Sequence, residues 1–130
     1  MNKQLLACMM VSLIRAQTEE IIFLTECSID IGLFSDSGCT NRIGGQVFNP
    51  LIIDECIPYD SATDTWFVGR RGVPDSLIHK CTTTEHKAIS YSDSTCATKT
   101  GNVKAQWDDC FSQFGSDGNP TGNYIKVKLL

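Results

Sequence analysis

The side chains able to do chemistry are few, and their spacing sets the question. His79 and His86 flank Cys81, a grouping that suits zinc ligation or an activated thiol. Asp108-Asp109-Cys110-Phe111-Ser112 clusters the hard oxygen donors that calcium takes, with Asp108, Asp109 and Ser112 as ligands. The plainer reading of that segment is a turn with solvated acids. Trp66-Phe67-Val68-Gly69-Arg70-Arg71-Gly72-Val73-Pro74 places two aromatics beside two arginines, the residue types favoured as anchors in binding surfaces. Its plainer reading is a core strand, Trp66 to Val68, followed by a solvated basic loop. Arg70-Arg71 also has the form of a dibasic processing site. There is no Gly-x-Ser-x-Gly, no paired-histidine zinc helix and no phosphate-cradling loop. The expected activity is therefore binding, not catalysis.

What must position these residues is decided by the cysteines. The 130-residue chain has seven, an odd number, with 15 acidic and 11 basic side chains and a net charge of -4. That charge argues against a sequence-independent nucleic-acid binder. Residues 1–16 read as a signal peptide: Lys3 is the positive start, Leu5 to Ile14 the apolar run, and Ile14-Arg15-Ala16 the cleavage site. That run is too short to span a bilayer, which takes about 20 residues. Cleavage after Ala16 removes Cys8 and leaves 114 residues with six cysteines. An even set in a short exported chain implies a disulfide framework and a secreted protein. Cys81 is then expected to be oxidised, which removes both zinc ligation and thiol chemistry.

The six cysteines fall into two matching triplets. Phe34-Ser35-Asp36-Ser37-Gly38-Cys39 lies over Tyr91-Ser92-Asp93-Ser94-Thr95-Cys96, Asp54-Glu55-Cys56 over Asp108-Asp109-Cys110, and the apolar run before Cys27 over that before Cys81. Three matches in one order at nearly one offset indicate a repeat. We expect two tandem disulfide-stapled modules, about residues 20–76 and 77–130, within one compact domain over 17–130. Six cysteines allow 15 connectivities. Three per copy require a bond between copies, and the simplest equivalent solution is Cys39–Cys56, Cys96–Cys110 and Cys27–Cys81.

Periodicity makes the chain all-β. Ile29, Ile31 and Leu33 alternate with Asp30 and Gly32, and Tyr124, Ile125, Val127 and Leu129 interleave with Lys126 and Lys128. Ile21 to Thr25, Val47, Leu51 to Ile53, Thr65 to Val68 and Ile89 to Tyr91 are further strand candidates, about eight in all. Asp36 and Asp93 are expected to accept hydrogen bonds from backbone just downstream of them in their turns.

Copy two, Ala88 to Val127, resembles a βγ-crystallin Greek-key motif. Ile89-Ser90-Tyr91-Ser92-Asp93, Trp107-Asp108-Asp109-Cys110-Phe111 and Asn123-Tyr124-Ile125-Lys126-Val127 take the places of its opening strand, Asp-Cys turn and closing strand. The resemblance implies a double Greek-key sandwich and weak calcium binding. Where the family has an aromatic and then a glycine, this chain has Cys96 and Thr98, and in copy one Cys39 and Asn41. A disulfide is thus expected in place of the aromatic corner. The function expected is that of a secreted, non-catalytic binding protein of the effector, toxin or lectin-like class. It would take a protein or carbohydrate partner through Trp66, Phe67, Arg70 and Arg71. The alternative is a structural crystallin-like protein.

Overall fold

The computed structural model describes residues 21–130. The expected signal peptide, with Cys8, lies outside the described residues. The fold is all-β, with eight strands among the described residues: β1 Ile29–Phe34, β2 Arg42–Phe48, β3 Ile57–Pro58, β4 Ser76–Cys81, β5 Glu85–Tyr91, β6 Lys99–Gln106, β7 Cys110–Phe114 and β8 Pro120–Leu129. They form two antiparallel four-stranded sheets, ordered β2-β1-β8-β7 and β3-β4-β5-β6. Among the described residues no helix is long and apolar enough to cross a membrane.

Alternation builds the core as the sequence predicts. Ile29 and Ile31 of β1, Leu77 of β4, Ala88 of β5, Ala105 of β6, and Ile125 and Val127 of β8 are buried in one cluster shared by both sheets. Each large aliphatic side chain among them contributes roughly 1.5–3 kcal/mol. On the outer face of β1, Asp30 takes two hydrogen bonds from Arg42 of β2 at 3.0 and 2.9 Å, which holds the Asp30 carboxyl below its usual range.

Three strand candidates change character, the first being Ile21 to Thr25, where Phe23 makes an isolated bridge to Thr82 and no strand forms. Thr65–Phe67 is a single 3-10 turn. It follows a knot of hydrogen bonds in which the Asp64 N–H donates to the Asp60 carbonyl at 2.7 Å and the Phe67 N–H to the Asp64 carbonyl at 3.0 Å. Asp64 is buried there, and that burial raises its pKa. Leu51 to Ile53 is not a strand either, although Leu51 packs into the core.

The cysteine framework crosses the chain. Cys27–Cys81 forms as expected, but the other bonds are Cys39–Cys110 and Cys56–Cys96, not Cys39–Cys56 and Cys96–Cys110. The reason is the strand exchange. Segments β1–β4 and β5–β8 each give two strands to each sheet, so the sheets read β2-β1-β8-β7 and β6-β5-β4-β3. Cys39 closes the β1–β2 hairpin of one sheet, whereas Cys56 directly precedes β3 at the edge of the other. The partner within reach of Cys39 is Cys110, which opens β7 in its own sheet.

The two hairpins are built alike. Each has a register shift before its aromatic, between Leu33 and Phe34 and between Ser90 and Tyr91. The left-handed residue is the cysteine itself, Cys39 at φ 52° and Cys96 at φ 56°. Asp36 accepts from the Asn41 N–H at 2.8 Å and Asp93 from the Thr98 N–H at 2.8 Å. With the Thr40 and Thr95 hydroxyls also donating, both carboxyls are lowered to about 2.

Candidate binding groove

The segment between β3 and β4 carries the aromatic and basic residues, and it is pinned to both sheets. Phe67 is its anchor. It is 3% exposed and packs edge-on to His79 with ring centroids 4.4 Å apart. Phe67 is therefore core and not part of a binding surface. Its neighbour Trp66 is half-buried, with the indole N–H donating to Gln46 Oε1 of β2 at 3.1 Å.

Beyond Val68 the chain makes a tight turn. The Gly72 N–H donates to the Gly69 carbonyl at 3.1 Å, leaving Arg70 and Arg71 exposed at the tip. A second turn, residues 115–119, backs it so closely that a Cβ on Gly118 would lie 2.4 Å from the Arg70 carbonyl oxygen. Gly118 also sits at φ +79°, a conformation glycine adopts without penalty. Arg71 Nη1 donates to the Thr100 carbonyl of β6. The Arg70 guanidinium lies 5.5 Å from the ring centre of Phe114 on β7, within cation–π range.

These attachments form one wall of a cavity of about 750 Å³. Trp66, Arg70 and Arg71 line it on the loop side, with Tyr91 and Lys104 from β5 and β6, and Phe111, Ser112 and Phe114 from β7. A smaller cavity of about 510 Å³ shares Arg70, Phe111, Ser112 and Phe114 with it. The Arg70–Phe114 pair thus borders both cavities. Three cations, Arg70, Arg71 and Lys104, face one carboxylate, Asp75, in the larger cavity. The chain as a whole carries -4. Neither cavity is lined by histidine or cysteine.

The other candidates part company. Ser112 lines the groove, but Asp108 and Asp109 do not. Asp108 is in the turn before β7 at φ +67°, its N–H donating to the Val127 carbonyl at 2.9 Å. Among the described residues no three His, Cys, Asp or Glu side chains converge as a metal site would require. Cys81 is bonded to Cys27, so it offers neither a thiolate nor a zinc ligand.

The histidines are core residues. His79 on β4 and His86 on β5 are 0% and 2% exposed, with His79 Nδ1 3.2 Å from His86 Nε2. Burial lowers His79 to about 4, and burial together with the neighbouring His79 lowers His86 to about 3. Strand phase is the signal that locates them: His79 alternates with Leu77 and Cys81, all three buried, and His86 with Ala88. The consecutive β6 residues Thr100, Gly101, Asn102, Val103 and Lys104 also border the groove, which composition alone does not flag.

No protein-family model, curated protein or solved structure matches this chain.

Proposed function

We propose that this is a secreted, non-catalytic binding protein that holds its partner in the groove beside the 66–75 segment. The observation that carries the reading is the convergence of Trp66, Arg70 and Arg71 with side chains of both sheets around one cavity. Small-ligand pockets are about 300–1,000 Å³, and the larger cavity, at about 750 Å³, falls in that range. Three disulfides fit an oxidising compartment, which supports export after removal of residues 1–16.

The reading includes descent from a duplicated module of βγ-crystallin type. Supporting it are the matched hairpins, with left-handed Cys39 and Cys96, and the matched turns before Cys56 and Cys110, with Asp54 at φ 61° and Asp108 at φ 67°. The strand order of the two sheets is equivalent when β1–β4 is exchanged with β5–β8. A purely structural role with calcium at Asp108, Asp109 and Ser112 has less support, because Ser112 faces the groove and the two acids do not.

The test is amide and indole NMR of the isotopically labelled protein against acidic saccharides, neutral saccharides and nucleotides. Shifts confined to Trp66, Gly69, Gly72 and Gly101, lost in Arg70→Ala at unchanged Tm, are the expected result. No response at the groove to any of the three classes sinks the proposal.

A further inference from the structure

We infer that the groove takes an oligosaccharide bearing carboxylates, a short chain containing uronic acid residues. This rests on the binding role proposed above and names the ligand for it. Four observations lead there.

The first is charge. The groove gathers three cations against Asp75 alone, on a chain that is acidic overall. The ion pairs among the described residues are Arg42–Asp30 and Lys80–Asp54, so Arg70, Arg71 and Lys104 have no carboxylate of their own. A guanidinium presents a planar fork that matches a carboxylate with two parallel hydrogen bonds.

The second is shape. Two cavities of about 750 and 510 Å³ lie side by side, with Arg70, Phe111, Ser112 and Phe114 bordering both. Arg70 thus stands beside two neighbouring hollows, an arrangement that suits several linked rings more than one compact molecule. The third is the character of its walls. Trp66, Tyr91 and Phe114 supply aromatic surface, and Ser90, Thr100 and Asn102 supply hydroxyl and amide groups. A pyranose ring has the complementary character: C–H bonds on its faces pack against aromatics and its rim of hydroxyls exchanges hydrogen bonds. The fourth is preorganisation. Trp66 is tied to Gln46 and Arg71 to Thr100, so little side-chain freedom is lost on binding.

The experiment is titration of the labelled protein with trigalacturonate, with neutral galactotriose and with adenosine monophosphate. Trigalacturonate is expected to move the groove resonances. Galactotriose should bind at least about ten-fold more weakly, the loss of a charge-assisted hydrogen bond. Raising salt from about 20 to about 200 mM should weaken the acidic ligand and leave the neutral one unaffected. Because Arg71 also holds the loop, Arg70→Ala and Lys104→Ala are the informative variants, each expected to lose about ten-fold for trigalacturonate at unchanged Tm. Equal affinity for the acidic and neutral trisaccharides, or groove binding of adenosine monophosphate alone, overturns the ligand class and leaves the groove intact. Silence to all three overturns the groove reading with it.

Discussion

Acid should unfold this protein through two histidines, well before its carboxylates matter. His79 and His86 are held neutral in the folded state, at about 4 and about 3. In the unfolded chain each titrates near the ordinary 6.5. Groups with a depressed folded pKa bind protons more readily when unfolded. Their contribution is complete above about pH 6.5 and is lost as pH falls toward the folded values. At about pH 5 the unfolded chain gains roughly 1.5 pH units of protonation at each site, about 2 kcal/mol apiece and about 4 kcal/mol for the pair. The most strongly lowered carboxyls, Asp36 and Asp93 at about 2, begin to lose their contribution only below about pH 4, so the two windows separate. Urea unfolding followed by Trp66 and Trp107 fluorescence at about pH 7 and pH 5 measures the difference. A domain of this size has only about 5–15 kcal/mol of stability, so the midpoint should shift visibly. Replacing His86 with leucine removes one titrating site and should roughly halve the pH dependence, whatever it does to absolute stability. Equal stability at the two pH values, or histidine NMR signals titrating near 6.5 in the folded protein, would refute the reasoning.

Other expectations are quickly checked. Gly118→Ala places a methyl against the Arg70 carbonyl and forces alanine to φ +79°. It should cost about 1–3 kcal/mol and more than Gly122→Ala, whose φ is +90° but whose Cβ would meet nothing within 4 Å. Replacing both Cys56 and Cys96 with serine opens a link spanning 40 residues, worth about 4 kcal/mol by loop closure. Chemical unfolding without reductant measures it. Mass spectrometry of the non-reduced digest should yield Cys39 joined to Cys110 and Cys56 to Cys96.

The sequence made the strands legible wherever alternation was clean, as in β1 and β8. It also made legible the six cysteines and the Asp36 and Asp93 turns, because these depend on local chemistry. Disulfide partners were not legible, because equivalence of the two triplets is satisfied as well by exchange between halves as by closure within them. Only strand pairing separates the two. Thr65-Trp66-Phe67-Val68 has the composition of a strand, yet the hydrogen-bonded turn at Asp60–Asp64 and the burial of Phe67 bend it into a 3-10 turn. Trp66, Arg70 and Arg71 could be singled out from residue type. Lys104, Tyr91 and Phe114 join them through tertiary placement that no linear spacing encodes.

The crossed framework also fixes what a cut in the backbone would do. Cys27, Cys39 and Cys56 all find partners among Cys81, Cys96 and Cys110, and the chain between Cys56 and Cys81 contributes to no bond. Scission anywhere in that stretch, the exposed Arg70-Arg71 turn included, would divide the polypeptide into two pieces that remain joined three times over. Such a nicked molecule would migrate as one species on a non-reducing gel and separate only when reduced. The groove-bearing loop thus lies in the stretch where a cut leaves all three disulfides bridging the two pieces, against two or one for a cut elsewhere between Cys27 and Cys110.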